Sequence, residues 1–345
     1  MSDPEVMEYR SPLPLPPDAA LYAGIDVGSN TVKMIIADLG GGRANRVYEA
    51  SLQSRLGEGM MAQARRLREV PILRTLDAFD HFLKAIASYP VQATVAIGTA
   101  ALRDAENRAD FLRRVDERSG LKIEIIPGDE EARLSYLAVR RDPQWRDVPR
   151  LLAIDIGGGS TEVIQGEAYS DRIADRISVN WGAVKLTENF LKSDPPAVAQ
   201  LAAAHLAASE AFGAVPLSEN FTQAETRVVG IGGTVSNLAA LQRGGRPLTE
   251  SMHGYRLHAD DLEDVLSLLA SSTIEKRKTF AGLDPRRADI ILGGAILLSQ
   301  ALAHLGSLTV EVSTRGLRWG LLYDRFLEPH PEAEQPQSPG EPEAT

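Results

Sequence analysis

An α/β protein built from two related halves is what this sequence predicts, and three observations carry the prediction. Apolar runs of strand length alternate with helical segments along most of the chain, the pattern of sheets flanked by helices. One strand–turn–strand unit occurs twice, at 24–36 and at 153–165. Between the two units lies a polar connector, Arg141 to Pro149, with two prolines and Trp145.

The elements follow in chain order. Residues 1–19 are Pro-rich and polar and are expected to be a disordered arm. The first domain, 20–148, opens with strands at 21–27, 32–39 and 47–54. A helix spans 67–87, because Leu73, Leu76, Phe79 and Leu83 recur at helical spacing. A short buried strand at 93–98, a helix near 109–118 and a strand at 122–126 come next. A last helix follows Pro127-Gly128. The second domain, 149–328, restarts with a strand at 151–156. It continues with an Ala/Leu-rich helix at 197–212 and a strand at 227–231 that ends in Gly232-Gly233-Thr234. Asp284-Pro285 reads as an N-cap with Pro at the first helical position, so a helix is expected from there to about Leu305. A strand at 308–312 and a closing helix at 317–326 complete the fold, and the closing helix is free to pack back on the first domain. Residues 329–345, rich in Pro, Glu and Gln, are expected to be a disordered tail.

Composition narrows the function. A chain of 345 residues with 43% hydrophobic content can fill two cores, and its longest apolar run is broken by Gly293 and Gly294, short of a membrane span. With no cysteine there is no disulfide, no thiolate zinc site and no Cys nucleophile. That composition, without a signal peptide at the start, leads us to expect a cytoplasmic protein. The net charge of −10 argues against a nucleic-acid partner but not against a phosphorylated small molecule. The six histidines show no metal-ligand spacing.

The repeat carries the chemistry. Asp26-Val27-Gly28-Ser29-Asn30 and Asp155-Ile156-Gly157-Gly158-Gly159-Ser160-Thr161 each put an Asp and a glycine turn with hydroxyls at a strand end. Turn N–H groups of this kind point at phosphate oxygens. The Asp, which repels phosphate, either satisfies turn amides, orients a water or holds Mg²⁺. A third glycine turn, 230–234, lacks the last glycine of a dinucleotide fingerprint, and Gly233 and Thr234 are candidates for a further phosphate contact. Arg103, just past a strand end, either forks around phosphate or pairs with Asp104 or Glu106. Asp129, Glu130 and Glu131 stand at a helix start, where acids favour the helix dipole; one of them could instead face a cleft and take a proton from water.

Taken together and in this order, these pieces resemble the exopolyphosphatase/guanosine pentaphosphate phosphohydrolase family, of the sugar kinase, Hsp70 and actin superfamily. The resemblance spans about 21–327 and rests on Gly24 to Asn30, Leu56-Gly57-Glu58-Gly59-Met60, Ala100 to Ala105, Glu131-Ala132-Arg133-Leu134, Asp155 to Glu162, Gly232 to Thr234, Arg287-Ala288-Asp289 and Ser313 to Arg318. It implies two actin-like (ribonuclease H-like) domains with mixed sheets flanked by helices and a cleft between them. It implies hydrolysis of the terminal phosphoanhydride of polyphosphate, or of guanosine pentaphosphate. Ser29, Asn30, Arg103, Gly158, Gly159, Ser160, Thr161, Gly233 and Thr234 would bind phosphate, and Glu131 would be the base. Asp155 and Glu162, with Asp26 through water, would hold Mg²⁺ or another divalent cation. Trp319 stands where the family often has Glu, so no acid role carries over there. Long members add a helical C-terminal part, and this chain resembles the short form. An ATP-dependent small-molecule kinase and a nucleotide-switch protein of the same superfamily are the alternative readings. A homodimer, the commonest assembly, is the expected oligomer.

Overall fold

The computed structural model of the chain describes residues 7–60, 65–214, 226–245 and 252–327. Two six-stranded mixed sheets form its frame. The first contains β1 (Met7–Arg10), β2 (Leu21–Val27), β3 (Val32–Asp38), β4 (Asn45–Leu52), β5 (Val91–Gly98) and β6 (Ile123–Ile125) in the order β1-β4-β3-β2-β5-β6. Around it lie α1 (Glu69–Ala87), the short α2 (Ala100–Asp104), α3 (Arg108–Ser119) and α4 (Gly128–Arg140). The second sheet contains β7 (Arg150–Ile156), β8 (Thr161–Gly166), β9 (Ile173–Val179), β10 (Thr226–Ile231), β11 (Arg256–His258) and β12 (Thr309–Ser313) in the order β11-β12-β10-β7-β8-β9. Its helices are α5 (Ala183–Phe190), α6 (Val198–Gly213), α7 (Gly232–Gln242), α8 (Ala259–Ala270), α9 (Ile274–Lys278), α10 (Ile291–Leu305) and α11 (Leu317–Phe326).

The two sheets repeat one topology. β2, β3 and β4 form an antiparallel meander, and β5 and β6 then add in parallel beside β2. β7, β8 and β9 form the second meander, with β10 and β12 in parallel beside β7. The edges differ: β1 caps β4 in the first sheet and β11 caps β12 in the second, both antiparallel. The central strands β2 and β7, each flanked on both sides, are almost continuously buried, which explains their nearly unbroken apolar sequence.

Helices α4 and α11 join the halves. One face of α4 packs Ala132, Tyr136 and Val139 among Leu151, Ala153 and Ile164 of the second sheet. Its Leu137 and Ala138 meet Trp319, Leu322 and Tyr323 of α11 beside Ile35 and Ala37 of the first sheet. The two helices cross closely because residue 320 is glycine: a Cβ there would lie 1.8 Å from the Leu134 carbonyl oxygen. Arg318 ties the closing helix to the first sheet, donating to the Met34 carbonyl at 2.9 Å and to Glu49 at 2.5 Å. The connector between the halves is itself packed. Trp145 is wholly buried, and its indole N–H donates to Glu311 at 2.6 Å.

Two sequence expectations are corrected. Part of the supposed arm is ordered: Met7–Arg10 pairs with β4, Glu8 meets His81 at 2.7 Å, and the Arg46 guanidinium lies 3.6 Å from the Tyr9 ring centroid. The prolines that dominate the arm's composition all lie outside this four-residue strand. Asp284 does cap, accepting from the Arg286 N–H, but it caps a 3-10 turn at Pro285–Arg287, and α10 begins only at Ile291. Residues 1–6 and the expected tail at 329–345 lie outside the described residues. Among the described residues, no helix is long and apolar enough to cross a membrane.

Candidate active site

The two hairpin turns are built alike. In the first, the Gly28 N–H donates to the Thr31 carbonyl at 3.2 Å; in the second, Gly157 donates to Ser160 at 3.0 Å. Each is gripped from behind through its carbonyls. Arg55 and Gly57 donate to Asn30 and Ser29 at 2.9 and 2.8 Å, and Ala183 and Lys185 donate to Gly157 and Gly158 at 2.9 and 3.0 Å. With the carbonyls of Ser29, Asn30, Gly157 and Gly158 turned back into the protein, Ser29, Asn30, Gly158 and Gly159 stay exposed at the tips. The Asn30 side chain also accepts from Gln53 at 3.4 Å.

Below each tip, register pairs a conserved position of the repeat with its neighbour strand. Asp26 sits opposite Lys33, and Asp155 sits opposite Glu162. The same offset that carries Asp26 onto Asp155 carries Lys33 onto Glu162, so the second hairpin has an acid where the first has a base.

The turns converge on one space. The charge of Glu131, in the first turn of α4, acts on Asp26, Asp155 and Glu162 alike, and that of Lys33 acts on both aspartates. Burial pushes Asp26 up to about 6, with Lys33 pulling down and Glu131 pushing up. Burial and then the Glu131 charge push Asp155 up to about 7. Burial raises Glu162 as well, against a 2.7 Å bond from the Ser178 hydroxyl. Burial holds the Lys33 ammonium below its usual range. Asp26 Oδ1 and Glu162 Oε2 are buried without a hydrogen-bond partner. Carboxylates so crowded and so incompletely partnered give up a proton more readily when positive charge arrives with it, and a divalent cation is a group that suits them. Among the described residues, no three of His, Asp and Glu converge closely enough to cage an ion by themselves, so Asp26 does not complete a direct cage with Asp155 and Glu162.

Arg103, at the end of α2, is an ion-pair partner of Glu131 at 2.7 Å and also donates to the Ile126 carbonyl at 3.0 Å. Neither Asp104 nor Glu106, the alternative partners the sequence offered, pairs with it. Glu131 is a third exposed and so remains reachable from the cleft. Its neighbours face elsewhere: Glu130 is held by Arg133 and Asp129 by Arg176.

Two hydroxyls are corrected. Thr161 is fully buried and donates to the Trp181 carbonyl at 2.8 Å, so it offers a phosphate only its backbone. Thr234 is also buried, with its hydroxyl directed to the Ile156 carbonyl at 3.5 Å. The turn before it does reach the site. Gly232 has φ +87°, a conformation that favours glycine, and its Cα faces Asp155: a Cβ there would lie 3.4 Å from Oδ1. The Arg287 guanidinium lies against Gly233 and leaves no room for a side chain.

Sequence reasoning did not single out Lys33, Ser135 or Ser178, and it named Arg287 only as part of a motif, without a place in the site. Ser135, one turn along α4 from Glu131, reaches Asp155 at 3.4 Å. Lys33 was visible in the repeat, had its second strand been aligned position by position. Ser178 needed the edge strand β9, whose residues Ala174-Asp175-Arg176 disguise it as a turn.

Comparison with known proteins agrees with this geometry. The model of the Ppx/GppA phosphatase family matches residues 35–328. The chain belongs to the Ppx/GppA phosphatase family. Exopolyphosphatase 2 of Mycobacterium tuberculosis is 31% identical over 293 residues, covering 82% of this chain and 90% of the relative. Exopolyphosphatase 1 of Mycobacterium bovis is 32% identical over 303 residues, covering 86% of each. The crystal structure of the Aquifex aeolicus Ppx/GppA family member superposes with a TM-score of 0.78 at 30% identity, covering 90% of this chain and 98% of that one. The two-sheet frame is thus the actin-like fold of a Ppx/GppA phosphatase, a phosphoanhydride hydrolase.

Proposed function

We propose that this Ppx/GppA phosphatase is an exopolyphosphatase, which removes the terminal phosphate of inorganic polyphosphate, with the 5′ end of guanosine pentaphosphate as a second substrate. The observation that carries the reading is the position of Glu131: one carboxylate near both hairpin aspartates, paired to Arg103 at 2.7 Å. The exopolyphosphatase relatives support the substrate class.

The terminal phosphoryl group lies between the hairpins, where the N–H groups and hydroxyls of Ser29, Asn30, Gly158, Gly159 and Ser160 bind its oxygens. The backbone of Thr161, Gly233 and Thr234 extends this cradle. Fixed donors of this kind favour the charge that spreads over those oxygens in the transition state. Glu131 accepts a proton from water as the water oxygen attacks phosphorus in line; the bridging P–O bond breaks, and its electron pair leaves with the shortened chain. Arg103 holds the Glu131 carboxylate toward the water and turns its free N–H groups to the incoming phosphate. The donor set of Asp155 and Glu162, with Asp26 behind a water, is where Mg²⁺ or a similar divalent cation would be held, and when bound it supplies positive charge against the substrate oxygens. The lobes on either side divide at the connector 141–149, and we expect a cytoplasmic homodimer.

Phosphate release from polyphosphate with no acceptor present tests the reaction class, since a kinase would release almost none. Glu131→Gln is expected to lower turnover by about 10²- to 10⁴-fold, the range for loss of a general base. Undiminished turnover removes Glu131 from the mechanism. Side-by-side kinetics on polyphosphate and guanosine pentaphosphate rank the two substrates.

A further inference from the structure

Two segments outside the hairpins press a glycine against the same tip position of each. The offset that carries Asp26 onto Asp155 carries Ser29 onto Gly158. Behind Ser29 stands Gly57, in the loop 55–60 that follows β4, where a Cβ would lie 3.3 Å from the Ser29 Cβ. Behind Gly158 stands Gly182, the residue before α5, where a Cβ would lie 2.4 Å from the Gly158 carbonyl carbon. Neither glycine has a left-handed backbone, so closeness alone is what excludes a side chain. The loop also reaches α2. A Cβ on Gly57 would lie 3.8 Å from that of Ala101, on the short helix that carries Arg103. The Met60 carbonyl accepts from the Arg65 N–H at 3.0 Å, and the Arg65 carbonyl accepts from the Glu106 N–H at 2.9 Å, just past α2. Leu56 and Met60 are buried in the same core as Leu102 and Ala105.

We propose that the loop 55–60 and the start of α5 are a pair of braces that fix how far each hairpin tip stands into the cleft, with Gly57 and Gly182 as their positioning residues. The claim rests on the phosphoanhydride reading above. Hydrogen bonds to the tip carbonyls set the direction of each tip, but such bonds tolerate about half an ångström of length. Direct contact of a Cα with the tip leaves no such slack. Donors aimed at a transition state depend on that precision. In the first hairpin the same residue also touches α2, so Ser29 and the Arg103 helix are placed relative to each other. The two braces reach their stops differently. Ser29 contributes a Cβ to the first contact, whereas the second is backbone on backbone. A methyl group added at Gly57 therefore meets a side-chain carbon on an exposed tip, and one added at Gly182 meets main chain.

Gly57→Ala is expected to lower kcat on polyphosphate about tenfold and to leave KM within about threefold, the split of an element that places groups for the transition state. The thermal midpoint should move by no more than about 3 °C, because the tip that must yield is exposed. Ser29→Gly removes the atom that the new methyl meets first. In that background Gly57→Ala should cost less than about threefold in kcat, measured against Ser29→Gly alone. Gly182→Ala is expected to cost about 10²-fold, as for a larger misplacement; if it fails to fold, the Gly57 and Ser29 cycle decides. Gly57→Ala with kcat within about twofold of wild type, equal losses in the two backgrounds, or a rise in KM alone overturns the braces. All are ratios to an active parent, so a wild type that releases no phosphate condemns the reaction class, and the braces with it.

Discussion

The two hairpins share a backbone and differ in charge. Their turns close with the same hydrogen bond, one to Thr31 and one to Ser160, and each tip is gripped through two carbonyls, of which those of Ser29 and Gly158 are equivalent positions. Yet one register pair is Asp26 with Lys33 and the other is Asp155 with Glu162. Duplicated architecture therefore fixes where the side chains stand, while the residue at one position per hairpin decides what each half can hold. The tips are built alike; the positions beneath them are not.

The largest expected effect breaks the symmetry directly. Asp155→Asn removes an acid from the pair suited to a cation, whereas Asp26→Asn removes one already offset by Lys33. Turnover on polyphosphate should fall about 10²- to 10³-fold in the first, comparable with loss of a strong electrostatic contact, and at least tenfold less in the second. Equal losses measured side by side would mean that the hairpins are functionally equivalent after all.

The same substitution should act oppositely on stability. Asp155 is raised to about 7 in the fold from an ordinary 3.8. The native state thus prefers its protonated form: this group does not weaken the fold below about pH 4, and its cost grows as pH rises toward 7. With a chelator present at pH 8, Asp155→Asn should gain about 1–3 kcal/mol over wild type, and at pH 4 almost nothing. Denaturant midpoints at both pH values read the difference. A variant that is least active and most stable is the signature of a site built for its ligand.

Glu49 supplies the contrast at the lobe junction. Burial alone would raise it, but Arg318 and Arg46 more than compensate and hold it at about 2. Its contribution is full above about pH 4.5 and is lost as pH falls toward 2. Glu49→Gln should cost about 1–3 kcal/mol at pH 7, as for a hydrogen bond between charged groups, with the deficit shrinking below pH 4 and turnover per folded molecule little changed. A deficit that persists at pH 2.5 would remove the ion pair as its cause.

Much of this was legible beforehand, and the part that was not has physical reasons. The repeat, the strand ends and the Glu131 and Arg103 segments could be read because glycine turns after apolar strands constrain backbone and chemistry together. The arm strand Met7–Arg10 escaped because four residues against an edge leave no pattern above their Pro-rich surroundings. Thr161 and Thr234 were expected at the phosphate because hydroxyls at turns usually face out; here each lies one residue inside its turn, on the buried side of the strand or helix. The Arg103–Glu131 pair joins the end of α2 to the start of α4, residues far apart in sequence, which no local spacing announces.

The smallest expected effect concerns the third turn, which has no twin in the first lobe's hairpin. Gly232 lies at φ +87°, beside Asp155. Gly232→Ala must either hold a strained backbone, at a cost of about 1–3 kcal/mol, or rotate the turn away from the carboxylate. The first outcome lowers the denaturant midpoint and leaves KM for polyphosphate unchanged. The second raises KM several-fold, as expected for a turn that contacts the substrate. The two measurements together therefore decide whether the third turn is a phosphate contact or only the support on which Asp155 rests. A change in KM without a change in midpoint would extend the paired-hairpin cradle to three turns.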